Sequence, residues 1–234
     1  MTHSEKIREV LITEIKFLAF RPAKPDLKNL GNYYLALGII TAWLAGVGRY
    51  WDSPKAELWQ YLGLGSVAYI FILSIILWAF IAPLRPENWS YKSVLIFVGM
   101  TSPPAILYAI PVEQYFTLKI AQTMNVWFLV VVATWRVALL IRYLKYSAKL
   151  TGLAVFIATA LPLAIIISTL TIMNIEQPVF QIMVGFGQEP IKQPNIAHVI
   201  LWLITGISVI FSPSLLVGYI GLIIQRNKIL SSAE

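Results

Sequence analysis

Six apolar stretches constrain this chain more than any other feature: Asn32–Val47, Leu62–Ala82, Val94–Ile110, Gln122–Ile141, Leu153–Met173 and Ile196–Ile224. A hydrocarbon layer about 30 Å thick takes about 20 apolar residues to cross as a helix. The first and third stretches are short for this, and the sixth is long enough to tilt or break. Charged residues make up only 12% of the chain and hydrophobic ones 58%, where soluble domains carry roughly a quarter charged. Open strand edges do not survive in lipid, because backbone polar groups there must be satisfied within the segment. The reading is therefore an all-α integral membrane bundle of six transmembrane helices, preceded by an N-terminal amphipathic interfacial helix.

The basic residues divide unevenly between alternate loops. Thirteen fall on one side: Lys6, Arg8, Lys16, Arg21, Lys24, Lys28, Arg85, Lys92, Arg142, Lys145, Lys149, Arg226 and Lys228. Four fall on the other: Arg49, Lys55, Lys119 and Lys192. Basic loops stay in the cytoplasm, so both termini are expected there, as an even number of crossings requires. In a soluble protein the net charge of +7 would suggest nucleic acid; here it reports topology, and no nucleic-acid partner is expected.

Residues 1–28 read as a cytoplasmic helix and linker, 29–226 as the transmembrane domain and 227–234 as a short cytoplasmic tail. Thr2-x-x-Glu5 has the form of a capping box, and Ile7, Val10, Leu11, Ile15 and Leu18 recur at helical spacing. Such a helix either lies on the inner leaflet or packs on the protein's own cytoplasmic loops. Pro22 and Pro25 end it.

Prolines mark three spans. Pro103 and Pro104 remove two consecutive backbone donors from the third, and Thr101 and Ser102 beside them can bond the freed carbonyls. Pro162 in the fifth span and Pro213 in the sixth repeat the device, so three helices are expected to kink near the midplane. The kinks serve either packing or a central cavity lined by interrupted helices. Arg136 is the one formal charge well inside an expected span. Its side chain is expected to snorkel to the inner headgroups; turned inward, it would meet freed carbonyls, a lipid phosphate or an anionic substrate.

At the outer ends, Glu113, Asn125, Glu176 and His198 could ring a vestibule or simply cap solvated helices. Gly38, Ala42 and Gly46 form a small-residue stripe that lets a second helix approach closely. The 174–195 loop, with Pro178, Pro190 and Pro194 around "VFQIMVGFG", reads as a lid or a docking surface.

The chain has no cysteine and only two histidines, His3 and His198. It has no G-x-S-x-G, no H-E-x-x-H and no phosphate-binding glycine loop. Neither an enzyme nor a cofactor or metal site is expected. The amphipathic N-terminus, the layout of spans and the proline-centred "VGMTSPPAILYAIPV" resemble the Yip-type family of small polytopic membrane proteins. That resemblance implies membrane organisation or trafficking with protein partners and without catalysis; the fourth span with Arg136 and the long outer loop depart from it.

Two functions follow as expectations. The first is a non-enzymatic accessory or scaffold subunit in the cell membrane, binding lipid and other membrane proteins or a second copy of itself. The second is a small-solute or ion transporter or channel whose path runs past the three broken helices.

Overall fold

In a computed structural model, residues 2–51, 56–173 and 196–231 are described. Among them the chain is helical apart from its connecting segments and forms no strand. The helices are α1 (His3–Leu18), α2 (Leu27–Tyr50), α3 (Leu58–Tyr61), α4 (Leu64–Ile81), α5 (Tyr91–Met100), α6 (Val112–Tyr115), α7 (Leu118–Tyr146), α8 (Gly152–Ile172) and α9 (Ile196–Ser231). Short 3-10 segments at Ala82–Leu84 and Pro103–Ala109 join α4 to α5 and α5 to α6. Five helices are long and apolar enough to cross a membrane, and α5 with the 3-10 segment after it makes a sixth if that pair, bent by 45°, counts as one span. Membrane protein is the class that follows.

The chain separates into two compact units, and α4 and α7 each pass from one into the other. The first holds residues 1–78, 88–111 and 131–139. It is built on α2, which packs along α5 and the 3-10 segment. Gly38 makes this possible: a Cβ there would sit 2.5 Å from the backbone of Gly99, so the two helices cross at backbone contact. Farther along α2, Ala45 packs with Ala105 and Val132, and Gly46 faces Ser66 and Gly63. The Gly38, Ala42, Gly46 stripe is thus occupied within the chain. Gly63 ends the turn before α4 at φ +64°, a left-handed conformation that costs glycine nothing.

Helix α1 is docked in the same unit. Its capping box forms: Glu5 N–H donates to Thr2 Oγ1 at 3.3 Å and Thr2 N–H to Glu5 Oε2 at 2.7 Å. The buried face is Val10 and Glu14, with Phe17 beside them, against Leu30 and Tyr34 of α2 and Ile96 and Met100 of α5. Phe17 meets Phe97 edge-on, Phe20 stacks on Trp135, and Trp135 Nε1–H donates to the Leu18 carbonyl at 3.0 Å. The repeating Ile7, Leu11 and Ile15 instead face outward, Ile15 with 66% exposure. The apolar spacing located the helix, and within the protein the face that packs is that of Val10, Glu14 and Phe17.

The second unit holds residues 79–87, 112–130 and 140–234. Its core is the α8–α9 pair. Ile157 Cδ1 lies 3.0 Å from where a Cβ on Gly218 would sit. Near the other end of the pairing, Arg226 donates to the Arg85 carbonyl while Glu87 N–H donates to the Ala148 carbonyl. Residues early in α8 therefore match residues late in α9, so the two helices run antiparallel. Stepping five residues on from Ile157 and five back from Gly218 brings Pro162 level with Pro213. Tyr219 Oη–H also donates to the Phe80 carbonyl at 2.6 Å.

Neither Pro162 nor Pro213 interrupts its helix. Each removes one donor, which a helix tolerates when neighbours cover the freed carbonyl. Pro103 and Pro104 remove two in succession, and there the α-helix stops at Met100 and resumes as 3-10. Of the three expected breaks, the double proline alone ends an α-helix.

Candidate functional site

The break after α5 satisfies most of its own polar groups. Thr101 and Ser102 are buried, and both hydroxyls donate to the Val98 carbonyl, at 2.8 and 3.2 Å. Ser102 N–H reaches the Gly99 carbonyl and Ala105 N–H the Ser102 carbonyl, each at 2.9 Å. The Ala105 donor is thereby diverted from Thr101, four residues back, and Pro104 has none to offer it. The Thr101 carbonyl takes its hydrogen bond from Arg136 Nε at 3.0 Å.

That bond decides how Arg136 is held. It stands 13 residues from one end of the Thr123–Tyr146 span and 10 from the other, about 20 and 15 Å of helix rise. An arginine at such depth costs about 2.5–3.5 kcal/mol to insert. Its Nε is spent on Thr101, and its guanidinium carbon lies 5.4 Å from the Tyr69 ring centroid.

A second guanidinium stands close by. Arg49, one residue before the end of α2, lies over the rings of Tyr50 and Tyr108, 5.6 Å from each centroid. Tyr108, in the 3-10 segment, is within electrostatic range of Arg49, Arg136 and Tyr69. Arg136, Tyr69, Tyr108 and Arg49 thus form one cationic and aromatic cluster in the first unit. It lies toward the end at which α2 stops and α4 begins. Sequence reading singled out Arg136 alone. The other members come from three separate elements, which sequence spacing does not bring together.

Beneath α1 is a second unusual group. Glu14 is 4% exposed and neither carboxyl oxygen has a hydrogen-bond partner. The Tyr34 hydroxyl, on α2 nearby, is buried with the Thr13 side chain beside it. Burial pushes the Glu14 carboxyl up to about 8. Asp26 at the start of α2 shifts the opposite way, held low by the Asn29 side chain and backbone N–H that it accepts from. The Val10, Glu14, Phe17 spacing of four and three was the signal for a buried carboxyl, masked by the stronger isoleucine and leucine repeat.

In the second unit, Thr159 and Ser168 of α8 and Thr205 of α9 carry buried hydroxyls without partners. The antiparallel register sets Ser168 level with the turn containing Thr205 and the buried Ser208. Pro162 and Pro213 belong to this unit, whereas Thr101, Ser102, Pro103, Pro104 and Arg136 belong to the first.

Of the expected vestibule, Glu113 lies on α6, Asn125 on α7 and His198 on α9; Glu176 and the 174–195 loop lie outside the described residues. Among the described residues no three His, Cys, Asp or Glu side chains come together to hold a metal ion. Comparison finds no family model that matches this chain, and no curated protein or solved structure to which it is significantly similar.

Proposed function

We propose that this protein is a non-enzymatic, six-span accessory subunit of the cell membrane, with both termini in the cytoplasm, whose α9 docks against a transmembrane helix of another membrane protein. One observation carries the reading: only 6% of the apolar window of α9 is buried, against 50% for its neighbour α8. Helix α9 spends one side on α8 and the Ala82–Leu84 turn and leaves Ile210, Val217 and Ile224 uncovered. Gly206 and Gly221 lie close to the same side, and nothing comes within 4 Å of where a Cβ on either would sit. Small residues on an open transmembrane face allow close backbone approach, and packing of that kind drives helix association in lipid.

Other surfaces fit the role less well. The first-span glycine stripe is filled by α5, the Pro103–Ala109 segment and the turn before α4. The outward stripe of α1, Ile7, Leu11, Ile12 and Ile15 with Arg8 beside it, suits the inner leaflet, where apolar area and basic charge act together. The transport reading loses support because the hydroxyls at the proline break are consumed by the backbone.

The test is the size of the particle extracted in a mild detergent. The tagged protein is expected to run on a native gel above its 26.3 kDa monomer with its detergent, in a stable complex. Gly206→Leu with Gly221→Leu is expected to return it to the monomer. A wild-type monomer with no co-purifying protein would overturn the proposal. Reporter tags at the two ends should both read out on the cytoplasmic side.

A further inference from the structure

The Arg136 guanidinium has five N–H donors in a planar fork. One, at Nε, is spent on the Thr101 carbonyl. A face is covered by Tyr69. What remains is the outer edge, the two Nη groups, whose parallel N–H bonds match two oxygens of one anion. Among the described residues no carboxylate pairs with Arg136. The Arg49 guanidinium lies over the Tyr108 ring, 5.6 Å from its centroid. Within this cluster the formal charges are both positive, while Tyr108 and Tyr69 supply aromatic walls and phenol groups. The side chains are partly exposed, so a ligand can reach them.

We propose that Arg136, with Tyr69, Tyr108 and Arg49, binds an oxyanion, either a phosphate or a carboxylate, gripped by the Nη edge of Arg136. The Thr101 carbonyl fixes the direction of the fork and Tyr69 its plane, so the edge is pre-organised before the anion arrives. The same chemistry fits a free anion or the phosphate of a lipid headgroup. The site is independent of the α9 face and stands or falls without it.

The probes are inorganic phosphate and dioleoyl phosphatidylglycerol in mixed micelles, each added to delipidated full-length protein in a non-ionic detergent. Sodium chloride at matched ionic strength and diacylglycerol are the controls. The readout is the unfolding midpoint followed by intrinsic tryptophan fluorescence. The wild type is expected to gain several degrees with phosphate, with the lipid, or with both, and nothing with the controls. A response to phosphate assigns a free oxyanion; a response to the lipid alone assigns a headgroup. Arg136→Gln is expected to lose the gain. Arg136→Lys keeps the charge but not the fork, and should need about tenfold more ligand, the cost of one charge-assisted bond. Equal gains in wild type and Arg136→Gln, or no gain with either probe, would overturn the proposal. Should Arg136→Gln fail to fold, a dose response for Arg136→Lys equal to that of wild type would overturn it as well.

Discussion

Raising the pH should loosen α1 from its seat, because the carboxyl of Glu14 is buried without a partner. Its pKa in the docked helix is about 8 against 4.5 for the free group, so the docked state holds a proton that the undocked state releases. The stabilisation from this difference is complete below pH 4.5. It falls by about 1.4 kcal/mol per pH unit as pH rises toward 8, and levels off above that. The full span is on the order of 5 kcal/mol. Fully burying one large apolar side chain contributes about 1.5–3 kcal/mol, so ionising Glu14 opposes two or three of the contacts made by Val10, Phe17 and Phe20. The charges around the neighbouring Tyr34 hydroxyl are Glu9, Glu14 and Asp26, all acidic, and none would ease the ionisation. The chain has no cysteine, so a single Ile12→Cys on the exposed face can carry a spin label. Its mobility should rise between pH 6 and 9 in the wild type and stay flat in Glu14→Gln, which cannot ionise. A flat wild-type profile, or the same rise in Glu14→Gln, would refute the argument.

Other consequences follow from single contacts. Gly38→Ala drives a methyl into the Gly99 backbone and should destabilise the first unit by about 1–3 kcal/mol, seen as a lower unfolding midpoint. Thr159→Val replaces an unpartnered buried hydroxyl with a methyl and should raise the midpoint, by about 1 kcal/mol or more. Tyr219→Phe removes the 2.6 Å bond to Phe80 and should cost about 1 kcal/mol. Cysteines placed at Thr101 and Ser102, which are 4% and 1% exposed, should resist a polar thiol reagent in the folded protein, and rapid labelling would reopen the transport reading.

The spans were readable because hydrocarbon imposes a length on every helix that crosses it, and the long runs into α4, α8 and α9 satisfy that length in isolation. The break at Pro103 and Pro104 was readable for a similar local reason, two missing donors in a row. Pro162 and Pro213 lie inside continuous helices: a helix continues through one missing donor when its neighbours supply cover, and those neighbours are remote in sequence. The side of α1 that is buried was not readable, since isoleucine and leucine suit lipid and core equally. For Arg136, sequence gave the depth but not the direction. The direction depends on a carbonyl 35 positions earlier that loses its usual donor because Ala105 turns back to Ser102.

The bond from the Trp135 indole to the Leu18 carbonyl spans 117 positions. A ribosome adding roughly 5–20 residues each second therefore completes α1 on the order of ten seconds before it makes the indole that holds its end. For that interval α1 has no such tether. Its isoleucine stripe is then its ready means of staying at the bilayer while the rest of its seat is built.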